Sequence, residues 1–207
     1  MENLQKQTLP VPERTVHQPV NGDFENPMSE KKQETTVRRL IALGATEYQH
    51  PDILLPASCW ISGKAANGAA GPMIYLDGKN PIAGKYSVIA DSRGSDDQAS
   101  FNMQPVPMTP EKTLYCSGYV RAEGDRISDF QIEAVCALKN SPRYHAFTAL
   151  ASWLRPGLYR FSFPIPPGDD YSAVHLVFRV NGRVAIDNVE IKDGENITAR
   201  PPDSSRR

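Results

Sequence analysis

Between Asn102 and Val120 the chain reads as a strand, a connection punctuated by prolines, and a second strand. Leu114, Cys116 and Gly118 alternate with Tyr115, Ser117 and Tyr119. That period of two places an apolar row on one face of an extended segment and a polar row on the other, as in a sheet with one buried face. Pro105, Pro107 and Pro110 remove backbone donors from the connection and keep it out of a helix. A chain built of such units packs sheet on sheet.

The same pattern recurs along the sequence. Strands are expected over 58–61, 72–76, 86–90, 99–105, 114–122, 130–138, 146–152, 157–164, 172–180 and 184–191. Between them stand turn-forming pairs, among them Asp77-Gly78, Arg93-Gly94, Pro156-Gly157 and Asn181-Gly182. Asn-Gly between two apolar runs predicts a two-residue hairpin with positive φ at both central residues. Many short strands at regular spacing mean a sandwich or a barrel. One helix is expected over 29–44. Ser29 stands at its cap, Glu30 in the first turn, Arg38 and Arg39 in the last, and Gly44 as the stop. Gln33, Val37, Leu40 and Ile41 form the stripe by which it packs.

Residues 1–20 hold Pro10, Pro12 and Pro19 among polar residues without periodicity. An extended arm laid along a partner is the expectation there. The division is then an arm over 1–20, a sandwich over 21–197 with an insertion at about 26–57, and a tail over 198–207.

Charge narrows the function. There are 23 basic and 24 acidic side chains, a net −1, and they are interspersed rather than gathered into the basic stripe that nucleic acid requires. No run of about 18 apolar residues is available to span a membrane. The first residues show neither a basic nor an apolar leader region, so cytoplasmic synthesis without export is expected. Cys59, Cys116 and Cys136 lie too far apart for a metal clip and read as buried small hydrophobes. GxSxG, HExxH and glycine-rich phosphate motifs are all missing, and His17, His50, His145 and His175 are scattered. The chain therefore reads as non-enzymatic, with no required cofactor.

Four stretches resemble, in order, the carbohydrate-binding modules of galactose-binding-like jelly-roll fold. They are Asn21-Gly22-Asp23-Phe24-Glu25, Gly84-Lys85-Tyr86-Ser87-Val88, residues 101–122, and Ile186-Asp187-Asn188-Val189-Glu190-Ile191 after 174–179. The resemblance implies an all-β jelly-roll sandwich. It also implies a structural calcium at Glu25 and Asp187, the alternative being that acids here only cap turns. Sugar rings stack on flat apolar side chains, so Tyr144 beside Arg143, together with Tyr119 and Tyr171, are the glycan candidates. Trp60 and Trp153 are assigned to the core.

The insertion and the missing export signal depart from that family. The leading expectation is a structural component of a large assembly, such as a phage virion decoration (cement) or fibre protein. It would contact copies of itself or other structural proteins through residues 1–20 and the C-terminal tail. The alternative is a module that recognises a polysaccharide, and a more distant one is a small glycoside-active enzyme.

Overall fold

The computed structural model describes residues 4–7, 22, 24–50, 52–57, 59–62, 72–92, 98–108 and 113–193. In chain order the elements are β1 (Leu4–Gln7), α1 (Glu30–Ala42), a 3₁₀ turn (Thr46–Gln49), β2 (Cys59–Ser62), β3 (Met73–Asp77), β4 (Ser87–Asp91), β5 (Ala99–Met103) and β6 (Val106–Pro107). There follow β7 (Leu114–Ala122), β8 (Ser128–Leu138), β9 (Tyr144–Leu154), β10 (Gly157–Ile165), β11 (Tyr171–Asn181) and β12 (Arg183–Asp193). One antiparallel sheet has the order β1-β10-β7-β12-β4-β3, and the other β2-β5-β11-β8-β9 with β6 beside β11. The chain passes repeatedly from one sheet to the other. This is a jelly-roll β-sandwich.

The core fills the space between the sheets, and aromatic rings set its thickness. Phe101 stacks on Phe178 at 4.8 Å between centroids, and Phe130 lies 6.3 Å from Phe178 and 5.9 Å from Phe161. In β7 burial alternates strictly, as Leu114, Cys116 and Gly118 predict. Gly118 has a packing reason: a Cβ there would stand 2.5 Å from the Phe161 ring. All three cysteines are buried thiols.

The helix is found, but Ser29 caps it only through its backbone carbonyl, which accepts from Gln33 N–H at 2.9 Å, and makes no side-chain cap bond. Leu40 is buried and Val37 packs on the core. Gln33 spends its amide on the insertion itself, donating to Ile53 O at 2.9 Å and accepting from Leu55 N–H at 3.0 Å. The insertion covers a sheet edge. The N–H groups of Ile74 and Leu76 in β3 are taken by the Tyr48 hydroxyl at 2.6 Å and Leu54 O at 2.8 Å. Exposed strand edges invite pairing with other chains, and this one is closed.

Two expectations are corrected. Asn181-Gly182 is not a hairpin within one sheet, since β11 pairs with β8 and β5 whereas β12 pairs with β7 and β4. It is a corner between the two sheets, and only Gly182 has positive φ, +124°. In the same way the two strands of 102–120 lie in opposite sheets. The arm is also less irregular than its prolines imply. Leu4–Gln7 pairs with β10, Leu4 opposite Phe161 and Gln7 opposite Leu158, and so adds an edge strand to the first sheet. The rest of 1–20 and the tail 198–207 lie outside the described residues.

Candidate functional site

Register sorts the second sheet into an inward and an outward face. Inward go Phe101, Phe130, Ile132, Leu176 and Phe178, all fully buried. Outward, rows run across the strands: Ser100, Arg179, Gln131 and Ala151; then Asn102, Val177, Glu133 and Thr148; then His175, Val135 and Ala146. Trp60 and Ser62 of β2 extend the first two rows at the level of backbone register, opposite Asn102 and Ser100. The result is a floor of small and branched apolar residues with polar groups standing on it.

The polar groups are held by one another. Arg179 donates to Glu133 Oε2 at 3.0 Å, and Gln131 Nε2 to Asp129 Oδ2 at 3.5 Å. The Nε of Arg179 is buried and has no partner among the described residues. A buried donor left unpaired is costly, and a ligand acceptor is one way to satisfy it. Burial lowers the His175 imidazole below its ordinary value, so it is neutral at neutral pH.

At the two ends of β9 stand large exposed aromatics. Tyr144 is 69 % exposed and Trp153 74 %. Trp153 lies opposite Asp129 and so belongs to this outward face, which corrects its assignment to the core. The side chain of Trp60 is outside the described residues. Arg143 is exposed on the turn before β9, where its N–H donates to Ser141 Oγ at 3.1 Å. Tyr171 opens β11 at the same end, its hydroxyl against His145 Nδ1, and burial raises its phenol. Arg143, Tyr144 and Tyr171 therefore gather at one end of the sheet.

Tyr119 does not join them. It is in β7 of the other sheet and packs against Ile82, Ile89 and Ala185 on that sheet's outer face. There the loop after β3 folds back and seals the surface, bringing Ile82 down onto it. Sequence reasoning also missed Asn102, Gln131, Glu133, His175 and Arg179. Their signal was the same alternation that located the strands, which puts every second residue of β8 and β11 on a polar face.

Glu25 and Asp187 meet on the sealed side. Both oxygens of Glu25 accept from Lys85 N–H, at 2.8 and 3.0 Å. Asp187 is 1 % exposed, and its Oδ2 accepts from Ala83 N–H and Ser87 Oγ–H, each at 2.9 Å, while Oδ1 accepts from Asn188 N–H at 2.7 Å. Burial pushes its carboxyl up to about 7 against these hydrogen bonds, with the nearby Glu25 charge adding to the rise. Two acids within Coulombic reach offer oxygens only, the donor type a hard cation prefers. Among the described residues no group of three or more His, Cys, Asp and Glu side chains gathers to hold a metal, so further oxygens would have to come from the backbone.

No protein-family model matches the sequence, and neither does any curated protein. Solved structures do. The CBM22-1 xylan-binding domain of Paenibacillus barcinonensis Xyn10C superposes with a TM-score of 0.51 at 11 % identity, over 66 % of this chain and 86 % of that one. The fold is the jelly roll of carbohydrate-binding modules. The CBM22-1-GH10 modules of Clostridium thermocellum xylanase Xyn10B, complexed with xylohexaose, give 0.50 at 8 % identity over 68 % of this chain and 27 % of that one. The enzymatically active domain of Bacteriophage CBA120 tailspike protein 4 gives 0.51 at 10 % identity, over 72 % and 20 %. At such identities the likeness speaks to fold alone.

Proposed function

We propose that the chain binds a polysaccharide along the outward face of the β2-β5-β11-β8-β9 sheet, without cleaving it. One observation carries this reading: an open sheet face whose centre is a polar ladder on an apolar floor, with Tyr144 and Trp153 exposed at the ends of its border strand. Sugar rings present apolar C–H faces and hydroxyl edges, so a glycan needs flat apolar platforms and a mixed set of donors and acceptors. Gln131, Asn102 and the Arg179–Glu133 pair provide the second; Trp153 and Tyr144 provide the first. The nine steps from Tyr144 to Trp153 span roughly 30 Å at about 3.3 Å per residue, a length suited to a chain rather than to a single sugar. Glu25 and Asp187 take a structural part in this reading, with calcium neutralising their paired charge and tying the first segment of the sandwich to β12.

The test is electrophoresis through gels containing soluble polysaccharides, with xylan first because two structural neighbours bind xylan or were solved with xylohexaose. Retardation that Trp153→Ala or Arg179→Ala removes supports the reading. Unchanged mobility across a panel of xylans, glucans and galactans overturns it.

The second reading is a component of a larger particle, such as a phage decoration or fibre protein. Its support is the fold shared with a phage tailspike domain. It requires association through residues 1–20. Light-scattering mass with and without those residues decides it.

A further inference from the structure

The sandwich has four edge strands, β1, β3, β2 and β9; β1 is only four residues long, and among the described residues β3 and β2 carry contacts from the insertion. β3 is covered by Tyr48 and Leu54. β2, only four residues long, has Arg39 of the helix donating to Ile61 O at 3.0 Å. The fourth edge is β9. It runs eleven residues, the sequence Tyr-His-Ala-Phe-Thr-Ala-Leu-Ala-Ser-Trp-Leu, and among the described residues it is bonded on one side only, to β8. Six of its residues are exposed, and it contains no Lys, Arg, Asp, Glu or Pro.

Those missing residues are the ones that protect natural edge strands from pairing. A long bare edge that lacks them is a template for adding a strand. We propose that β9 is a homodimer interface, pairing antiparallel with β9 of a second copy to join two outward faces into one continuous sheet.

The strand's own irregularity favours a second copy as the occupant. Leu150 lies opposite Ile132 and Thr148 opposite Glu133, so Ala149 is an extra residue at a bulge. A twofold axis between Thr148 and Ala149 sets Tyr144 against the second copy's Trp153, Ala146 against Ala151, His145 against Ser152 and Phe147 against Leu150. In an unbroken strand that axis would oppose outward to inward side chains. The bulge shifts the alternation by one, so each residue meets one on its own face. Two copies meet here without like charges along the strand, which a closed twofold contact demands. The nearest fixed charges, Arg143 and Arg155, are both exposed just beyond its ends, and the pairing brings each toward the other's counterpart.

The experiment is light-scattering mass of the full chain over a wide concentration range, at low and high salt. The expected result is twice the chain mass, with salt strengthening association by screening the arginines. Thr148→Lys and Ala151→Lys, both at exposed positions, should each halve the mass and leave the circular dichroism unchanged. A single-chain mass at every concentration overturns the proposal. So do a dimer that survives both substitutions, a dimer that salt dissociates, and a dimer lost on removing residues 1–20 while β9 is intact.

Discussion

The two outer faces of this sandwich come from the same kind of strand and end differently. On the β1-β10-β7-β12-β4-β3 sheet, the loop after β3 lies over the surface. Ile82 packs on Ile89 and Ala185 with Tyr75, Tyr119 and Leu158 around them, and Asp187 and Glu25 hold the loop's backbone. On the β2-β5-β11-β8-β9 sheet the outward rows of β8, β9 and β11 keep polar side chains and two exposed aromatics. One face is spent on cohesion, and among the described residues the other is left uncovered. Substitutions on the first should therefore cost stability, and substitutions on the second should cost binding.

The largest effect is expected at Asp187. Its carboxyl accepts from three donors in and around the loop, and Asp187→Ala leaves the N–H groups of Ala83 and Asn188 and the Ser87 hydroxyl without that acceptor. The cost should be about 3 kcal/mol in urea denaturation. A loss below about 0.5 kcal/mol would mean that surface contacts alone hold the loop.

The same residue gives a pH signature in protein stripped of calcium. Its folded value of about 7 lies above the ordinary 3.8, so the folded state holds the proton more tightly. Its contribution is complete below about pH 4 and is lost as pH rises through 7, up to about 4 kcal/mol at 1.36 kcal/mol per unit. In chelator, melting temperature should fall between pH 5 and pH 8. Calcium should cancel that fall, because a cation favours the ionised form. Stability that rises with pH in chelator would contradict the burial argument. A fall unaffected by calcium would leave Glu25 and Asp187 as turn-holding acids only.

Ile82→Ala should come next, at about 2 kcal/mol, the low end for deleting a buried isoleucine because its cluster is small. The loop should loosen with it, raising hydrogen exchange at Ala83 and Lys85 while the central strands stay protected. Equal protection in the variant would show that Ile82 is not what closes the face.

The strands were legible because alternation is a property of each strand alone. All ten expected strands occur, with ends displaced by one or two residues. What sequence could not convey is which sheet a strand enters. Asn181-Gly182 carries a hairpin's residues, yet Ser92 N–H donates to Gly182 O at 2.8 Å and Gly182 N–H to Ser92 Oγ at 2.7 Å, holding a corner. A Cβ on Gly182 would stand 2.4 Å from Ser128 Oγ at a φ of +124°, so Gly182→Val is costly both in backbone strain and in tertiary packing. Leu4–Gln7 escaped because four residues are too few to show a period, and their pairing depends on the distant edge of β10. The site was half legible for a related cause. Aromatic identity marked Tyr144, Tyr171 and Tyr119 alike as candidates, with Tyr144 set first by its neighbour Arg143, but only the sheet assignment separates Tyr119, packed under Ile82, from the other two.

The smallest effect on stability, and the sharpest test of the contrast, belongs to Trp153. A tryptophan in a sandwich strand would ordinarily cost about 3–5 kcal/mol to replace with alanine, were it core. At 74 % exposure little of it is withdrawn from water, so Trp153→Ala should change denaturant stability by no more than about 0.5 kcal/mol. What it should change is retention on polysaccharide, since an exposed indole facing the same way as Gln131 and Arg179 is a flat platform for a sugar ring. Its fluorescence should shift when glycan is added. A Trp153→Ala protein that loses several kcal/mol would show that the ring is buried after all. One that keeps both its stability and its glycan retention would move the binding surface away from β9.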